Sequence, residues 1–330
     1  MPRIASDPRC LVLLVCLGSF GPIAAQDQVP RPADPSRLAI RRAVAFLSRE
    51  VSSWRKDHAC FSCHNNGDAA RALFAARHAG FSVDPLVYQD TADFLSHPDR
   101  WEGNGPQGEF NDTSLARLQF AVALSAAVDT GLVPSAGARH AGGQLLSKDQ
   151  VANGSWEFVG ADEPGSPITY GRTLATAMAV RALRVLDNGQ FAQPREAADR
   201  WLRTTHPQSV MNAAATLLGV GTATDEAARG QRARCLKILQ TGEDPAGGWG
   251  QYANSAAESF DTALVLVALV ESRADGWDEP IRRGRDFLVR LQLSDGSWPE
   301  TTRPAGRESY AHRVSTTGWA TWALIQTLRP

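Results

Sequence analysis

Apolar positions recur along this chain at helical spacing in about twelve stretches, which polar and glycine-bearing loops group into six pairs. The stretches fall near 37–51 and 66–79, 85–96 and 112–128, 135–149 and 170–187, 191–204 and 208–219, 225–240 and 258–271, and 278–292 and 313–328. Each pair reads as helix, loop, helix. The unit returns at a period of roughly 40 to 55 residues, which is the mark of a stacked array rather than of separate domains.

The loops carry a repeat of their own. Gln150-Val-Ala-Asn-Gly154-Ser-Trp156 and Gln292-Leu-Ser-Asp-Gly296-Ser-Trp298 place Gln, Gly and Trp at one spacing, and a third, stretched copy runs from Gln240 through Gly247-Gly248 to Trp249. An apolar pair precedes each copy: Leu145-Leu146, Ile238-Leu239 and Phe287-Leu288. At a helix end a Gln amide can satisfy orphan backbone groups, and Gly accepts the positive φ of a sharp exit. Trp then covers the contact and ties the loop to the next repeat. These residues are expected to build the fold, not to do chemistry.

The signature resembles the QW repeat of squalene-hopene cyclases and related triterpene cyclases. Those repeats, like the repeats of protein prenyltransferase β-subunits, wind into an α/α toroid. The resemblance covers residues 37–330 and implies an all-α fold, a single (α/α)6 toroid of about six helix-pair repeats. Composition agrees with an ordinary globular domain: 43% hydrophobic, 21% charged, net charge −1. That balance offers no electrostatic footprint for nucleic acid.

The first residues read differently. Arg3 and Arg9 precede or flank the apolar run 11–20, and Ile23-Ala24-Ala25 supplies small residues before Gln26, the pattern of an export signal over residues 1–25. Residues 26–36 hold Pro30, Pro32 and Pro35 and form a Pro-rich lead-in. The run is too short to span a bilayer, so the mature chain is expected to have no transmembrane helix and to be exported, periplasmic or extracellular.

With Cys10 and Cys16 in the signal, three cysteines remain: Cys60, Cys63 and Cys235. Two sit in Cys60-Phe61-Ser62-Cys63-His64, the C-x-x-C-H pattern that resembles the c-type haem attachment site of cytochromes c. That resemblance covers five residues. It implies haem c as cofactor, with thioethers from Cys60 and Cys63 and His64 as an iron ligand; the sixth ligand is open among His78, His312, Met178, Met211 or none. A Cys60–Cys63 disulfide and a metal site completed by Cys235 or His78 are the other readings.

Aligning the second helix of each pair puts His64 just ahead of Asn66-Gly67-Asp68, where other repeats present Asp112-Thr113, Tyr170 and Arg172, Asp261-Thr262, and His312 with Ser315. These are expected to gather at one mouth of the ring, where converging helix N-termini favour anions such as haem propionates. Class II cyclases protonate substrate with the middle acid of D-x-D-D-T-A. The nearest match here, Glu258-Ser259-Phe260-Asp261-Thr262-Ala263, has Phe260 at that place, and a second, ending in Asn111-Asp112-Thr113, has Asn111. Asp112, Asp261 and His312 are therefore the catalytic candidates, with helix capping the other reading of both aspartates.

Ser309-Tyr310-Ala311-His312 resembles the context of the zinc-binding His of prenyltransferases, but their Asp and Cys ligands have no counterpart around Gly248-Trp249-Gly250. Glu157, Asp162 and Glu163 lie in one loop, as paired acids of a glycosidase would need. The resulting expectation is an exported toroid without cyclase activity, a haem-bearing module that exchanges electrons with a redox partner or binds an apolar small molecule. The alternative is an enzyme on isoprenoid-like apolar substrates with a rebuilt acid site.

Overall fold

Asp34 opens the fold by accepting a hydrogen bond from Ser36 N (2.9 Å), with Pro35 in the first helical turn. The computed structural model describes residues 34–102, 104, 113–133, 135–158, 164–187, 189–303 and 306–328. The export signal at 1–25, most of the lead-in at 26–36, and Asp112, Asp162 and Glu163 lie outside the described residues.

Among the described residues twelve α-helices follow one another. They are α1 (Pro35–His58), α2 (Ala70–His78), α3 (Pro85–Leu95), α4 (Thr113–Asp129), α5 (Ala136–Lys148) and α6 (Gly171–Leu186), then α7 (Ala192–Thr204), α8 (Val210–Val220), α9 (Glu226–Thr241), α10 (Ser259–Glu271), α11 (Asp278–Leu291) and α12 (Tyr310–Thr327). The six predicted pairs are all present. The first pair departs from expectation: α1 runs on past 51 to His58, and the stretch before α2 is a π-helical turn, Cys63–Ala69. Such turns are uncommon and mark places where a ladder yields to local packing.

Burial sorts the helices into two rings. In α10 every residue from Ser259 to Leu269 is buried, and in α8 all but Asn212 are. In contrast, α11 buries only Gly284, Phe287 and Leu288, and α7 only Ala198 and Leu202, each on one stripe of a charged helix. The even-numbered helices pack in succession, α2 on α4, then α6, α8, α10 and α12, and α12 returns to α2. The odd-numbered helices form the outer layer. Alanines such as Ala121, Ala175, Ala177 and Ala214 keep side chains short where inner helices meet. The chain is thus an (α/α)6 toroid.

The QW loops are three copies of one device. The indole N–H of Trp156 donates to Leu146 O (2.9 Å), that of Trp249 to Leu239 O (2.9 Å) and that of Trp298 to Leu288 O (2.7 Å). Each carbonyl lies in the last turn of an outer helix, so it is Trp, not Gln, whose side chain bonds the helix end. The backbone N–H of each Trp in turn donates to a threonine on the following inner helix, Thr176, Thr262 or Thr317.

Gln instead reaches the next outer helix. Gln150 Nε2 donates to Pro194 O (2.8 Å) on α7, and Gln292 Nε2 to Ala39 O (2.8 Å) on α1. The glycines have φ near +90°, and a Cβ on Gly154 or Gly296 would lie 2.5 or 2.4 Å from the carbonyl oxygen of Ala197 or Arg42. Gln240 does not belong to the third copy. Glu243 takes that place, pairing in the backbone with Trp249 as Gln150 does with Trp156, so the spacing is Glu243-x-x-x-Gly247-x-Trp249 and nothing is stretched. Its carboxylate meets Arg283 on α11 (2.7 Å).

Candidate functional site

Cys60 is buried and Cys63 half-buried, and the segment between α1 and α2 is held from several sides. Ser62 caps the π turn by accepting from His64 N and Asn65 N. Asn66 accepts from Ser62 N (2.9 Å) and donates to Thr91 (2.8 Å), while Asn65 donates to Glu50 O (2.9 Å) and to Tyr310 Oη (2.7 Å). Asn104 closes a two-way bond with the backbone of Phe61, donating to its carbonyl at 2.6 Å. The C-x-x-C-H segment is therefore a pinned loop. Cys63 Sγ lies 3.6 Å from His64 Nε2, and burial beside His312 pulls the His64 pKa down to about 4, leaving its imidazole neutral.

His312, in the first turn of α12, is buried, and its Nδ1 lies 2.7 Å from Ser309 Oγ. Burial also lowers its pKa, with Arg303 and Glu300 as charged neighbours. Arg303 is the residue that links the mouth. It donates to Gly165 O (3.1 Å) ahead of α6, to Glu258 Oε2 (2.8 Å) and to Asp261 Oδ1 (2.5 Å) at the start of α10. Asp261 is not the cap of α10, since Glu258 holds that position and Asp261 points into this ion pair. Its burial pushes the pKa up to about 7 against the opposing pull of Arg303, and Oδ2 has no hydrogen-bond partner among the described residues.

A second buried carboxylate lies beside the first helix pair. Asp68 accepts from Tyr170 Oη (2.6 Å) and from Gln119 Nε2 (3.1 Å), and Arg71 stands 3.3 Å away. Burial raises its pKa despite Arg71. Tyr170 has left-handed backbone (φ 60°), a strained state that the packing of its buried ring must hold. On α12, Gly318 lets the backbone of Asp68 approach; a Cβ there would lie 2.9 Å from Asp68 O.

His64 neighbours His312, and Arg303 lies beside His312 and bonds Asp261, so His64, His312 and Asp261 are near one another; Asp112 lies outside the described residues. Of the residues weighed as a sixth iron ligand, His312 is the neighbour of His64, whereas His78 and Met178 line a cavity at the other end of the ring. Met211 is buried beside Arg303. Cys235 sits in α9, where burial pushes its thiol up to about 12. Among the described residues no three His, Cys, Asp or Glu side chains could together hold a metal ion. Glu157 pairs with Arg172 (3.1 Å).

Sequence reasoning missed Arg303, Gln119 and Arg71 as site residues. Arg303 is in a loop with no motif. Asp68-Ala69-Ala70 does echo Asp261-Thr262-Ala263 at the opening of an inner helix, a signal that could have been read. Phe260 stands where the cyclase pattern has its donor acid. Its ring is fully buried edge-on against Trp319, with centroids 5.7 Å apart, and Trp319 also meets Tyr170 (6.1 Å) and Trp322 (5.3 Å). These buried rings pack on one another where α10 and α12 meet. No helix of the described residues is long and apolar enough to cross a membrane.

No protein-family model matches the chain. Over 104 residues it is 31% identical to terpene cyclase/mutase ntnI of Nectria sp, a stretch that is 30% of this chain and 14% of that protein. Solved structures align over far more. The type II terpene cyclase MstE of Scytonema, in a variant complexed with geranylgeranyl dihydroxybenzoate as substrate, matches with a TM-score of 0.58 at 14% identity, covering 89% of this chain and 97% of that one. A protein from Actinoplanes matches at 0.60 and 17%, covering 89% and 100%, and a glycosidase at 0.55 and 14%, covering 91% and 100%. The chain shares its helical-toroid fold with these proteins.

Proposed function

We propose that this protein acts on an isoprenoid-like apolar molecule at the mouth of the ring, with Asp261 as the acid of a rebuilt site. The observation that carries this reading is the buried Asp261–Arg303 pair. With its pKa near 7, a large fraction of Asp261 is protonated at neutral pH. Arg303 engages Oδ1 through a charge-assisted bond, which leaves Oδ2 to carry and donate the proton. The likeness to terpene cyclases supports the substrate class.

An acid this weak is poorly matched to a bare alkene. It is better matched to an oxygen of a functionalised isoprenoid, such as an epoxide or carbonyl, where the basicity gap is smaller. The test is incubation of the purified protein with a polyprenyl epoxide and with the unoxidised polyene, followed by mass spectrometry of extracted products. Product from the epoxide that vanishes in Asp261→Asn supports the reading. A folded wild-type protein that converts neither, or an Asp261→Asn variant that converts as well as wild type, overturns it.

A second reading rests on Cys60, Cys63 and His64. The donor set fits a c-type haem: two thiols in the attachment spacing and an imidazole kept neutral, the form that ligates iron. Cys60 and Cys63 would form the thioethers and His64 would supply a nitrogen ligand to the iron; the group would provide one-electron exchange with a redox partner. This reading requires export through the signal at residues 1–25, to a periplasmic or extracellular location. A visible spectrum of protein made in a host able to attach haem c decides it: a reduced-minus-oxidised haem band supports it, and a colourless protein of bare polypeptide mass ends it.

A further inference from the structure

The far end of the ring holds a cavity of ≈ 450 Å³ that the mouth chemistry does not use. Val122, Met178, Ala182 and Trp322 give it apolar walls, and Arg71 lies among its lining residues. The Arg71 guanidinium rests against two neighbouring indoles, 4.3 Å from the Trp319 ring and 4.5 Å from that of Trp322. The side chain is 96% buried, yet Nε, Nη1 and Nη2 are all without a hydrogen bond among the described residues.

A guanidinium carries five N–H donors, and leaving them buried without acceptors is costly. Asp68 supplies only part of the answer. It stands 3.3 Å away in poor hydrogen-bonding geometry, its oxygens already engaged by Tyr170 and Gln119. The rim carboxylates do not answer Arg71 either: Glu271 is held by Arg181 (2.8 Å) and Gln326 (3.0 Å), and burial raises the pKa of Asp129, which also lies near Arg181 and His78.

We propose that this cavity is a binding site for a small amphiphilic carboxylate, its head group on the Arg71 guanidinium and its hydrocarbon part against Val122, Met178 and Trp322. A planar carboxylate matches the guanidinium fork, and apolar walls match a chain. At about 30 Å³ per water-sized group, a volume of ≈ 450 Å³ accommodates on the order of fifteen non-hydrogen atoms. The ligand is therefore a carboxylate with about ten to twelve carbons. The site is separated from the Asp261 mouth by the Phe260–Trp319 contact and stands independently of the reaction proposed there.

The test is isothermal titration calorimetry with decanoate and, as the uncharged probe of equal length, decan-1-ol. Wild-type protein should bind decanoate at least tenfold more tightly than the alcohol. Arg71→Met should erase that preference, and Ala75→Phe, which fills the cavity from α2 while keeping Arg71, should remove binding of both. Equal affinity for acid and alcohol in wild type, no heat with decanoate, or full decanoate binding by Ala75→Phe overturns the proposal. Should Arg71→Met fail to fold by circular dichroism, the acid–alcohol comparison and Ala75→Phe still decide.

Discussion

Gln292, just past the end of α11, donates its side-chain amide to the carbonyl of Ala39 on α1, across a sequence separation of 253 residues and a distance of 2.8 Å. The same bond joins Gln150 to Pro194 within the chain. One repeated contact therefore serves two purposes: inside the array it spaces neighbouring repeats, and at the end of the array it fastens the last repeat to the first.

Gln292→Ala should destabilise the protein by about 1 to 3 kcal/mol, because it removes the side-chain amide that bonds the carbonyls of Ala39 and Gly296. Urea unfolding followed by circular dichroism measures this. A loss indistinguishable from zero would mean that the ring is closed by apolar packing alone.

Glu243→Gln restores the amide found in the other two loops. The ion pair it removes, with Arg283, is partly exposed and weak. The melting temperature should therefore stay within about 2 °C of wild type, a small shift for a chain of this size. A large drop would show that Glu243 is not the structural equivalent of Gln150 and Gln292.

Asp261 gives the stability a defined pH dependence. Its folded pKa is raised, from 3.8 to about 7, so the folded state holds its proton more tightly than the unfolded chain does. The associated stability is fully present below about pH 4 and is lost as pH rises through about 7. Asp261→Asn mimics the protonated acid and should gain on wild type between pH 5 and pH 8, by on the order of 3 kcal/mol. Denaturant midpoints of both proteins at the two pH values provide the measurement; a constant difference would show that Asp261 does not titrate near 7. Activity on an epoxide should fall over the same interval in wild type.

For the haem reading, intact-mass spectrometry of the exported chain is the direct measurement. An added haem mass should be present in wild type and absent from Cys60→Ala/Cys63→Ala. Cys235→Ala should keep it, since that thiol is buried in α9 away from the attachment loop.

The helices, their pairing and the loop device were legible in the sequence, because each depends on residues a few positions apart. Apolar spacing marks which face of a helix is buried, and Gln, Gly and Trp at fixed offsets mark a loop whose bonds are mostly local. Even the misplaced Gln240 was a local error, since Glu243 keeps the spacing and changes only an amide to a carboxylate. The C-x-x-C-H segment was equally plain as a motif, and the Asn65, Asn66 and Asn104 bonds that pin it were not.

Tertiary structure decided the site. Asp68 meets Gln119 and Tyr170 at sequence separations of 51 and 102 residues, and Arg303 reaches Asp261 over 42 and Gly165 over 138. No periodicity encodes such partners, because they come together only when the ring closes. The same closure buries Asp261 fully and His64 in part, moving one carboxyl up to about 7 and one imidazole down to about 4. It also sets Arg71 against two indoles beside a cavity. A sequence lists these groups by type; how each is charged and what it faces follow from desolvation and from neighbours that only the folded ring supplies.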